Sequence, residues 1–478
     1  MGPFQHLAAQ GAMIERLTAD SRRCVPGSAF FAYPGEKADG REYIADALRR
    51  GASAVLWEEE RFEWRAEWRV PNAPVRDLKQ RAGILAADFH GRPSEQLWVC
   101  GVTGTNGKTS SSQWIAAALE RCGARSGVIG TLGTGFPGAL QDAGNTTPDA
   151  LELQATLREL RTAGARAVAM EVSSHGLAQG RVNGVHFSCA LFTNLSHDHL
   201  DYHGTMQAYG EAKARLFAAP GLQSAVLNLD DSFGAELARR LAGRVRRIGY
   251  RLRPVARGTV DDWISLDAAM GLASSWGSAN LTTRQLGRFN FSNILGVLGV
   301  LVAYGVPFPD AVRLVAELPD VPGRMQAVGE RPLVVIDYAH TPDALEKVLD
   351  ALRPVAAGRG GRLMVVFGAG GDRDPAKRPL MGAVASRRAD RVLITSDNPR
   401  SEDPLRIIDA VASGAGARAE REPDRQRAIE AAVLGAAAED VVLIAGKGHE
   451  RYQEIAGKRL PFSDQAVARA ALARRGHR

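Results

Sequence analysis

The sequence predicts an α/β protein of three domains: a small N-terminal α/β domain, a central domain with a mostly parallel sheet, and a C-terminal doubly wound domain. The 478 residues suit about three domains of roughly 150 residues each. Short apolar runs alternate with helical patterns, as in parallel sheets covered by helices. Helix-stop and linker signals occur at Gly91–Pro93 and Val321–Gly323. We therefore expect domains at residues 1–93, 94–323 and 324–478.

The composition indicates a globular protein of a reducing compartment. Hydrophobic residues make up 45% of the chain and charged residues 24%, both ordinary values. The sequence has no apolar run near the roughly 20 residues that span a bilayer, and Met1–His6 lacks signal-peptide features. The four cysteines show no Cys-x-x-Cys spacing, which argues against a disulfide framework or structural zinc. We expect a cytoplasmic protein without a membrane span.

The net charge of +7 is compatible with nucleic acid or with small anionic ligands. The arginines are spread along the chain rather than gathered in a basic stripe between aromatic residues. This pattern favours charged surface faces and anionic ligands in clefts over nucleic-acid binding.

The N-terminal domain shows a simple alternation of strands and helices. Ala29–Tyr33 and Ala52–Trp57 are predicted strands, and Tyr43–Arg50 and Arg76–His90 are predicted helices. The second helix ends at Gly91–Pro93, which is a typical stop signal.

A glycine-rich stretch opens the central domain. The apolar run Trp98–Thr103 leads through Gly104–Ser110 into the helical pattern Ser111–Ala118. Glycines let backbone N–H groups turn around a phosphate, and the following helix N-terminus attracts anions. In such a P-loop, Lys108 reaches the terminal phosphates and Thr109 contacts Mg²⁺. Val102 stands where the strict pattern has glycine, so a plain turn with a chance Gly-Lys-Thr is the alternative.

Three further apolar runs of the central domain are predicted to pair in parallel: Ala167–Val172, Ala190–Thr193 and Ala225–Leu229. Glu171 stands at the carboxyl end of the first run, where a carboxylate beside a P-loop can hold Mg²⁺. A surface charge is the alternative. Arg251–Thr283 looks irregular, and helices are expected near Asn290 and at Asp310–Leu318.

A cluster of histidines and aspartates, His197–His203, follows another of these runs. Its density suggests metal ligation, and the lack of cysteines favours Mg²⁺ or Mn²⁺ with one histidine over zinc. A purely structural polar loop is the alternative.

The C-terminal domain alternates again and is predicted to be Rossmann-like. Its strands are Leu333–Ile336, Leu363–Phe367, Val392–Thr395 and Val441–Ala445; its helices are Ala344–Leu352, Ala376–Arg388 and Arg425–Leu434. Each strand is followed by a polar segment: Asp337–Asp343, Gly368–Asp374, Asp397–Arg400 and Gly446–Glu450. Any one of these is more often a turn. Ligands of doubly wound sheets bind at this edge, so four together predict a site.

Together these motifs resemble those of the Mur ligases, the ATP-dependent amino-acid-adding enzymes of bacterial peptidoglycan synthesis. The resemblance covers essentially the whole chain and rests on Asp20-Ser21-Arg22, Gly104–Ser110, Asn145-Thr146-Thr147, Glu171–Leu177, Asp198–Gly204, Phe289–Asn293, Gly323-Arg324, Asp337–Asp343, Gly371–Asp374 and Gly446–Glu450. It implies a ligase that adds meso-2,6-diaminopimelate to UDP-N-acetylmuramoyl-L-alanyl-D-glutamate through an acyl phosphate. It also implies a monomer with a role in cell-wall biogenesis, cell shape and division.

The resemblance assigns residues to each ligand. ATP would be bound by Gly104, Thr105, Asn106, Gly107, Lys108, Thr109, Ser110, Asn293, Arg324, Asp337 and His340. The UDP-peptide would be held by Ser21, Asn145, Thr146, Thr147, Ser173, Gln179 and Arg181. Diaminopimelate would be bound by Arg373, Asp397, Asn398, Pro399, Arg400, Gly446 and Glu450. Mg²⁺ would be bound by Thr109, Glu171 and His199.

Lys213 and Arg400 carry the most specific implications. The pattern alone makes Lys213 an exposed helical lysine, whereas the resemblance makes it an N6-carboxylysine that helps to position Mg²⁺. That modification requires a desolvated amine. Arg400 would grip the second carboxylate of diaminopimelate, which lysine lacks.

Two other functions fit parts of the sequence. A ligase like folylpolyglutamate synthase would not be expected to carry Asp20-Ser21-Arg22 or Asp397–Arg400. A P-loop nucleotide switch would only bind its ligand. Phosphate release that requires both the UDP-peptide and diaminopimelate separates these three functions.

Overall fold

Three large β-sheets follow one another along the described residues, each covered by helices, and a separate two-stranded hairpin lies near the end of the chain. The computed structural model describes residues 2–36, 38–142, 144–255 and 258–476. We call the sheets and their helices the N-terminal, central and C-terminal units. This arrangement confirms the predicted fold class. No helix in the described ranges is long and apolar enough to cross a membrane.

The N-terminal unit is a four-stranded parallel sheet. Its strands, in spatial order, are β1 (Arg16–Thr18), β2 (Ser28–Ala32), β3 (Ala54–Glu58) and β4 (Asn72–Val75). Its helices are α1 (Pro3–Ala9), α2 (Ile44–Arg49) and α3 (Leu78–Phe89). On the face that α2 covers, Trp57 also packs against Phe62 and Trp64 of the β3–β4 connection, and Trp68 packs against both of those rings. Helix α3 instead faces the central unit, where Gly83 lies so close to the Asn183 carbonyl that a β-carbon would not fit.

The central unit is an eleven-stranded sheet. Its strands in chain order are β5 (Trp98–Thr103), β6 (Ser126–Gly130), β7 (Gly133–Phe136), β8 (Ala139–Gln141), β9 (Ala167–Glu171), β10 (Cys189–Phe192), β11 (Ser224–Asn228), β12 (Arg246–Arg251), β13 (Asp262–Leu266), β14 (Gly271–Ser274) and β15 (Gly277–Asn280). Their spatial order is β15-β14-β13-β12-β11-β10-β5-β9-β6-β7-β8. The seven strands from β13 to β6 are parallel, and antiparallel strands extend both edges.

Helices cover both faces of the central sheet. They are α4 (Lys108–Arg121), α5 (Ala150–Thr162), α6 (Ser174–Ala178), α7 (Leu200–His203), α8 (Met206–Ala214), α9 (Ser232–Arg240), α10 (Arg288–Tyr304) and α11 (Phe308–Ala316). Because β5 lies between β10 and β9, the glycine loop at its end is flanked by the ends of both neighbours. This placement brings the predicted Glu171 and His/Asp segments to the loop.

Residues 262–280, predicted to be irregular, instead form the three strands β13, β14 and β15. Strands β14 and β15 contain glycine and serine and have mixed burial, so no apolar run marks them. They are held by pairing with neighbours in the sheet, which a local pattern does not reveal.

The C-terminal unit is a six-stranded sheet with helices on both faces. Its strands are β16 (Gln326–Glu330), β17 (Leu333–Asp337), β18 (Leu363–Phe367), β19 (Arg391–Ile394), β20 (Glu420–Arg421) and β21 (Val441–Ala445), followed by the hairpin β22 (Tyr452–Ile455) and β23 (Lys458–Pro461). The spatial order is β16-β17-β21-β18-β19-β20, and all but β16 are parallel. Helices α12 (Pro342–Arg359), α13 (Lys377–Arg388) and α14 (Pro404–Ala415) cover one face, and α15 (Arg425–Gly435) and α16 (Asp464–Gly476) cover the other.

A fully buried ion pair fixes the strand ends of the C-terminal unit. Arg425 and Asp464 have side chains with no exposed area, and both guanidinium–carboxylate contacts measure 2.7 Å. The same guanidinium donates to the carbonyl of Ala445 at 2.9 Å and to that of Ser396 at 3.3 Å. These carbonyls lie immediately before Gly446 and Asp397, so the pair positions two of the predicted ligand-binding segments.

We expect Arg425→Met to lower the free energy of unfolding by about 3–5 kcal/mol, because it leaves the Asp464 carboxylate buried without a partner. Urea unfolding followed by circular dichroism measures this change. Arg427→Met is the matched control, since the Arg427 side chain on the same helix is 77% exposed and its loss should cost less than about 0.5 kcal/mol. Equal effects of the two substitutions would contradict this role of the pair.

Candidate active site

The glycine loop between β5 and α4 is packed against two other elements. Gly104 and Gly107 have φ values of 149° and 85°, which favour glycine. A β-carbon on Gly104 would lie 1.9 Å from Oγ1 of Thr193, and one on Gly107 would lie 2.4 Å from Oδ1 of Asn293. The end of β10 and the first turns of α10 therefore hold the loop in shape.

Lys108 lies in the first turn of α4 with its ammonium folded back over the loop. It donates to the carbonyl oxygens of Gly104 and Thr105, both at 2.8 Å. Burial lowers the pKa of this lysine. In loops of this kind the backbone N–H groups bind a phosphate, and the Lys108 ammonium lies over the position that the phosphate would occupy.

Glu171, at the end of β9, is the hydrogen-bonded centre of the site. Its carboxylate accepts from the Thr109 hydroxyl at 2.9 Å, from the Thr131 N–H at 2.8 Å and from the Thr131 hydroxyl at 3.1 Å. The residue is only 1% exposed, so the interpretation as a surface charge is wrong. Thr131 was not predicted as a site residue, because it belongs to no recognisable motif.

Five of the seven residues predicted to bind the UDP-peptide lie around Glu171. Thr131 and Thr146 hydroxyls are 3.0 Å apart, and the Thr147 hydroxyl donates to the Glu171 carbonyl at 2.9 Å. The remaining contacts are Ser173 N–H to Thr147 Oγ1 at 3.0 Å, Arg181 Nη1 to the Thr147 carbonyl at 2.8 Å and Arg181 Nε to Gln179 Oε1 at 2.8 Å.

The other two predicted UDP-peptide residues are placed differently. Asn145 is exposed. Ser21 begins a short 3-10 helix of the N-terminal unit, Ser21–Arg23, where its hydroxyl donates to Asp46 at 2.8 Å. A second segment of that unit does reach the central site: Glu36 accepts from the Tyr202 hydroxyl at 2.5 Å, and Tyr202 is 3.5 Å from Gln179.

The His/Asp segment places an imidazole beside the loop. His199 has a φ of 54°, its ring lies 4.9 Å from that of His175, and its Nε2 is 3.5 Å from Asp198. Burial lowers the pKa of His199 to about 4, which leaves a neutral ring able to bind a metal. Within the described residues no group of three or more His, Cys, Asp or Glu side chains converges on one metal position.

Several polar contacts join the C-terminal unit to the loop and its surroundings, and one of them runs from the Asn106 amide to Asp343 at 3.4 Å. Lys377, which begins α13, donates to Asp198 at 2.8 Å, and Ser196 donates to Asp343 at 2.9 Å. Arg324 Nη2 lies 3.3 Å from the Thr109 hydroxyl. Burial raises the pKa of Asp198, but His199 and Lys377 outweigh burial and lower it to about 2. Lys377 was not predicted as a site residue, because nothing in its local sequence indicates which charge it faces.

Lys213 is buried under the glycine loop, with 1% of its surface exposed. Its ammonium donates to the Gly104 carbonyl at 2.9 Å and lies 4.2 Å from the centre of the Tyr209 ring. Burial, with the nearby Lys108, lowers its pKa well below the ordinary value. The pattern-based prediction of an exposed lysine is therefore wrong, because α8 turns this face toward the loop.

Three residues of the C-terminal unit are predicted to bind ATP, and their surroundings differ. The Arg324 guanidinium stacks 4.3 Å from the Tyr338 ring and reaches Thr109. Asp337 is buried and accepts from the backbone N–H groups of Met325 and Ala339 at 2.8 and 2.7 Å; burial raises its pKa. Asp337 therefore stabilises the backbone next to Arg324. His340 is exposed.

The predicted amino-acid pocket forms where β19 and β21 end. The Asn398 amide donates to Glu450 Oε2 at 2.8 Å, and Asp397 Oδ2 lies so close to Gly446 that a β-carbon would be 2.3 Å away. The Gly371 N–H also donates to the Asn398 carbonyl at 2.9 Å and the Gly446 N–H to the Asp337 carbonyl at 3.1 Å, so all four predicted strand-end segments are in contact. Arg373 is exposed on the neighbouring loop.

Arg400 has an unusual backbone for an arginine. Its φ is 51°, and its backbone pairs with the hairpin strand β22 through Glu454 and Ala456. Its guanidinium donates to the Gly371 carbonyl at 2.5 Å and lies 4.0 Å from Glu454, with 24% of the side chain exposed. A simple turn does not require an arginine with a positive φ at this position. The backbone of this segment instead holds a partly exposed guanidinium at the pocket.

Comparison with known proteins identifies the class. Three family descriptions match in succession: Mur ligase family, catalytic domain, over residues 13–90; Mur ligase middle domain over 102–301; and Mur ligase, glutamate ligase domain, over 323–448. The chain therefore belongs to the Mur ligase family and is an ATP-dependent ligase that forms amide bonds. The family predicted from the motifs is confirmed.

Individual relatives share nearly the whole chain. The UDP-N-acetylmuramoyl-L-alanyl-D-glutamate–2,6-diaminopimelate ligase of Chromobacterium violaceum is 52% identical, covering 98% of this chain and 96% of the relative. The enzyme of the same name from Pseudomonas aeruginosa is 51% identical with the same coverage. A solved structure of a protein with that name is 38% identical, with a TM-score of 0.68 and coverage of 97% of this chain and 96% of the other.

The fold extends to more distant ligases. A solved bifunctional folylpolyglutamate synthase/dihydrofolate synthase, with Mn, AMPPNP and L-glutamate bound, is 21% identical with a TM-score of 0.60. It covers 84% of this chain and 95% of the other. At that identity the likeness shows the fold alone.

We expect Gly107→Ala to weaken MgATP binding at least about tenfold, through backbone strain and a clash with Asn293. Isothermal titration calorimetry measures the dissociation constant. Gly305→Ala is the matched control: its φ is 107°, but a β-carbon there would meet nothing within 4 Å. MgATP binding should stay within about twofold of wild type in that control. A similar loss in both variants would show that strain alone, and not the fit of the loop, determines binding.

Proposed function

We propose that the chain joins meso-2,6-diaminopimelate to the D-glutamate of UDP-N-acetylmuramoyl-L-alanyl-D-glutamate at the expense of ATP. The observation that carries this proposal is the segment Asp397–Arg400, whose arginine and whose contact with Glu450 suit an amine that also bears a carboxylate. Relatives about 50% identical over nearly their whole length are named for this reaction.

The charge of the pocket supports diaminopimelate over lysine. Arg400 is suited to a bidentate grip on the distal carboxylate, and Glu450 to an ammonium group. Lysine has no distal carboxylate, so Arg400 would gain no contact from it beyond those it already makes to Gly371 and Glu454. We assign Arg373, Asp397, Asn398, Pro399 and Gly446 to the same pocket.

The other ligands are assigned around Glu171 and the glycine loop. We propose that ATP is bound by residues 104–110 with Asn293, Arg324, Asp337 and His340. The UDP-peptide is assigned to Ser21, Asn145, Thr146, Thr147, Ser173, Gln179 and Arg181, and we take residues 1–93, 94–323 and 324–478 as the three domains. Cytoplasmic location and a monomeric state belong to the same proposal.

Mg²⁺ fits the donor groups present. Glu171 and Thr109 offer oxygen atoms and His199 a neutral nitrogen, which agrees with the preference of Mg²⁺ for a few protein ligands completed by substrate phosphates. When bound, the ion supplies positive charge that stabilises the transferring phosphoryl group. We assign these three residues to it.

The chain's own residues support two successive steps. An oxygen of the D-glutamate γ-carboxylate bonds to the γ-phosphorus of ATP, and ADP leaves. The diaminopimelate amine then bonds to the acyl carbon, phosphate leaves and the nitrogen loses a proton. Lys108 holds the γ-phosphoryl oxygens during the first step. Lys377 and Asp343 hold the C-terminal unit against the central unit beside the loop, and closure of these units over the substrates would protect the acyl phosphate from water.

Phosphate release measured with each substrate omitted in turn tests the function. We expect release to require both the UDP-peptide and diaminopimelate, and to be much weaker with lysine in place of diaminopimelate. ATP turnover that is indifferent to the UDP-peptide and the amine would overturn the proposal. Sedimentation of the same preparation checks the monomer.

We expect Arg400→Ala to raise the KM for diaminopimelate about 10- to 100-fold, the value of losing a hydrogen-bonded charge pair, and to leave the KM for ATP nearly unchanged. Steady-state kinetics with each substrate varied separate the two constants. Arg421→Ala, which removes a guanidinium with a 54% exposed side chain, is the matched control. A uniform rise in all three KM values would argue against the assigned role.

Lys213 is proposed to carry a carboxylate on its amine, because a neutral, desolvated amine is the form that adds carbon dioxide. Lys213→Ala should abolish most activity, and short carboxylates added to the assay should restore part of it. An intact mass of unmodified lysine, under conditions that preserve bound carbon dioxide, would count against the modification.

A further inference from the structure

Lys447 is a buried cation that none of the steps above uses. It follows β21, and its side chain has no exposed area. Its ammonium donates to Glu450 Oε2 and to Asn398 Oδ1, both at 2.9 Å, and lies 5.5 Å from the centre of the Tyr452 ring. Two of its partners are residues assigned to the amino-acid pocket.

A fully buried ammonium is costly unless each donor meets an acceptor. Packing alone does not require it, because an apolar side chain of similar length fills the same volume. The contacts of Lys447 instead connect two strand-end segments, Asp397–Arg400 after β19 and Gly446–Glu450 after β21. The Lys447 ammonium therefore fixes the Asn398 amide and the Glu450 carboxylate relative to each other, as well as the two segments that carry them.

The contacts on Glu450 are one-sided. Oε2 accepts from both the Lys447 ammonium and the Asn398 amide at 2.9 and 2.8 Å. Among the described residues no hydrogen bond is made to Oε1, and the side chain is 17% exposed. The carboxylate is thus held at one oxygen while the other is left for a ligand.

We propose that Lys447 is a positioning residue that orients the Glu450 carboxylate for the ammonium group of the amine substrate. This inference rests on the proposed function. Lys447 neutralises part of the Glu450 charge and keeps Oε1 directed to the pocket, so a substrate ammonium meets one oriented acceptor. Without the lysine, the carboxylate rotates and the Asn398 amide loses its alignment.

A double-mutant cycle tests this inference. Lys447→Met, Glu450→Gln and the double variant are compared with wild type by varying diaminopimelate, ATP and UDP-peptide separately. We expect Lys447→Met to raise the KM for diaminopimelate about 10- to 50-fold, with the KM values for ATP and UDP-peptide within about twofold of wild type. Adding Lys447→Met to Glu450→Gln should change the KM for diaminopimelate less than about threefold, because the lysine acts through the carboxylate.

The double variant also guards against a folding defect. It removes both charges together, so it leaves no buried charge without a partner even where Lys447→Met alone does not fold. The KM for diaminopimelate of Glu450→Gln, compared with that of the double variant, then tests whether Lys447 acts through the Glu450 carboxylate. Lys458→Met is the matched control, since Lys458 is exposed on the hairpin strand β23 and its loss should leave all constants unchanged.

Each outcome has a separate meaning. An unchanged KM for diaminopimelate in Lys447→Met, or losses that multiply in the double variant, would overturn the positioning role while the proposed function stands. Equal rises in all three KM values would show a merely structural lysine. Wild-type protein that releases no phosphate in response to diaminopimelate would overturn the proposed function itself.

Discussion

The buried carboxylate of Glu171 is the constraint on which the site depends. A carboxylate with 1% exposure must have its oxygens satisfied, and Thr109 and Thr131 donate the hydrogen bonds. Thr109 lies in the first turn of α4, directly after the glycine loop. Thr131 contacts Thr146, which belongs to the segment assigned to the UDP-peptide. One charge therefore ties together the segments that follow β5, β6 and β9, and brings the glycine loop close to the segment that we assign to the UDP-peptide.

The second organising feature is the contact between the central and C-terminal units. Lys377 with Asp198, Asp343 with Ser196, and Arg324 with Thr109 each connect residues that are more than a hundred positions apart. Through them the carboxyl edge of the C-terminal sheet lies beside the glycine loop. An amino acid bound at that edge is thereby brought toward the activated carboxyl group, which is a proximity effect.

Much of the fold could be predicted because its strands are continuous apolar runs. The sequence patterns located β5, β9, β10, β17, β18 and β21 closely, since strands buried on both faces leave that signal. Strands β14, β15, β22 and β23 were not predicted. They are short and partly polar, so they depend on pairing with neighbours and not on their own composition.

Motif chemistry in the sequence was sufficient to establish the ligase family and to predict the nucleotide loop, the carboxylate beside it and the arginine suited to a second carboxylate. These features are local, because a few adjacent residues carry each one. Only the tertiary structure decided which charges are buried. Lys213 meets a carbonyl 109 positions away, and Lys447 an amide 49 positions away. The environment of a long polar side chain is set by distant segments packed around it, which no local pattern records.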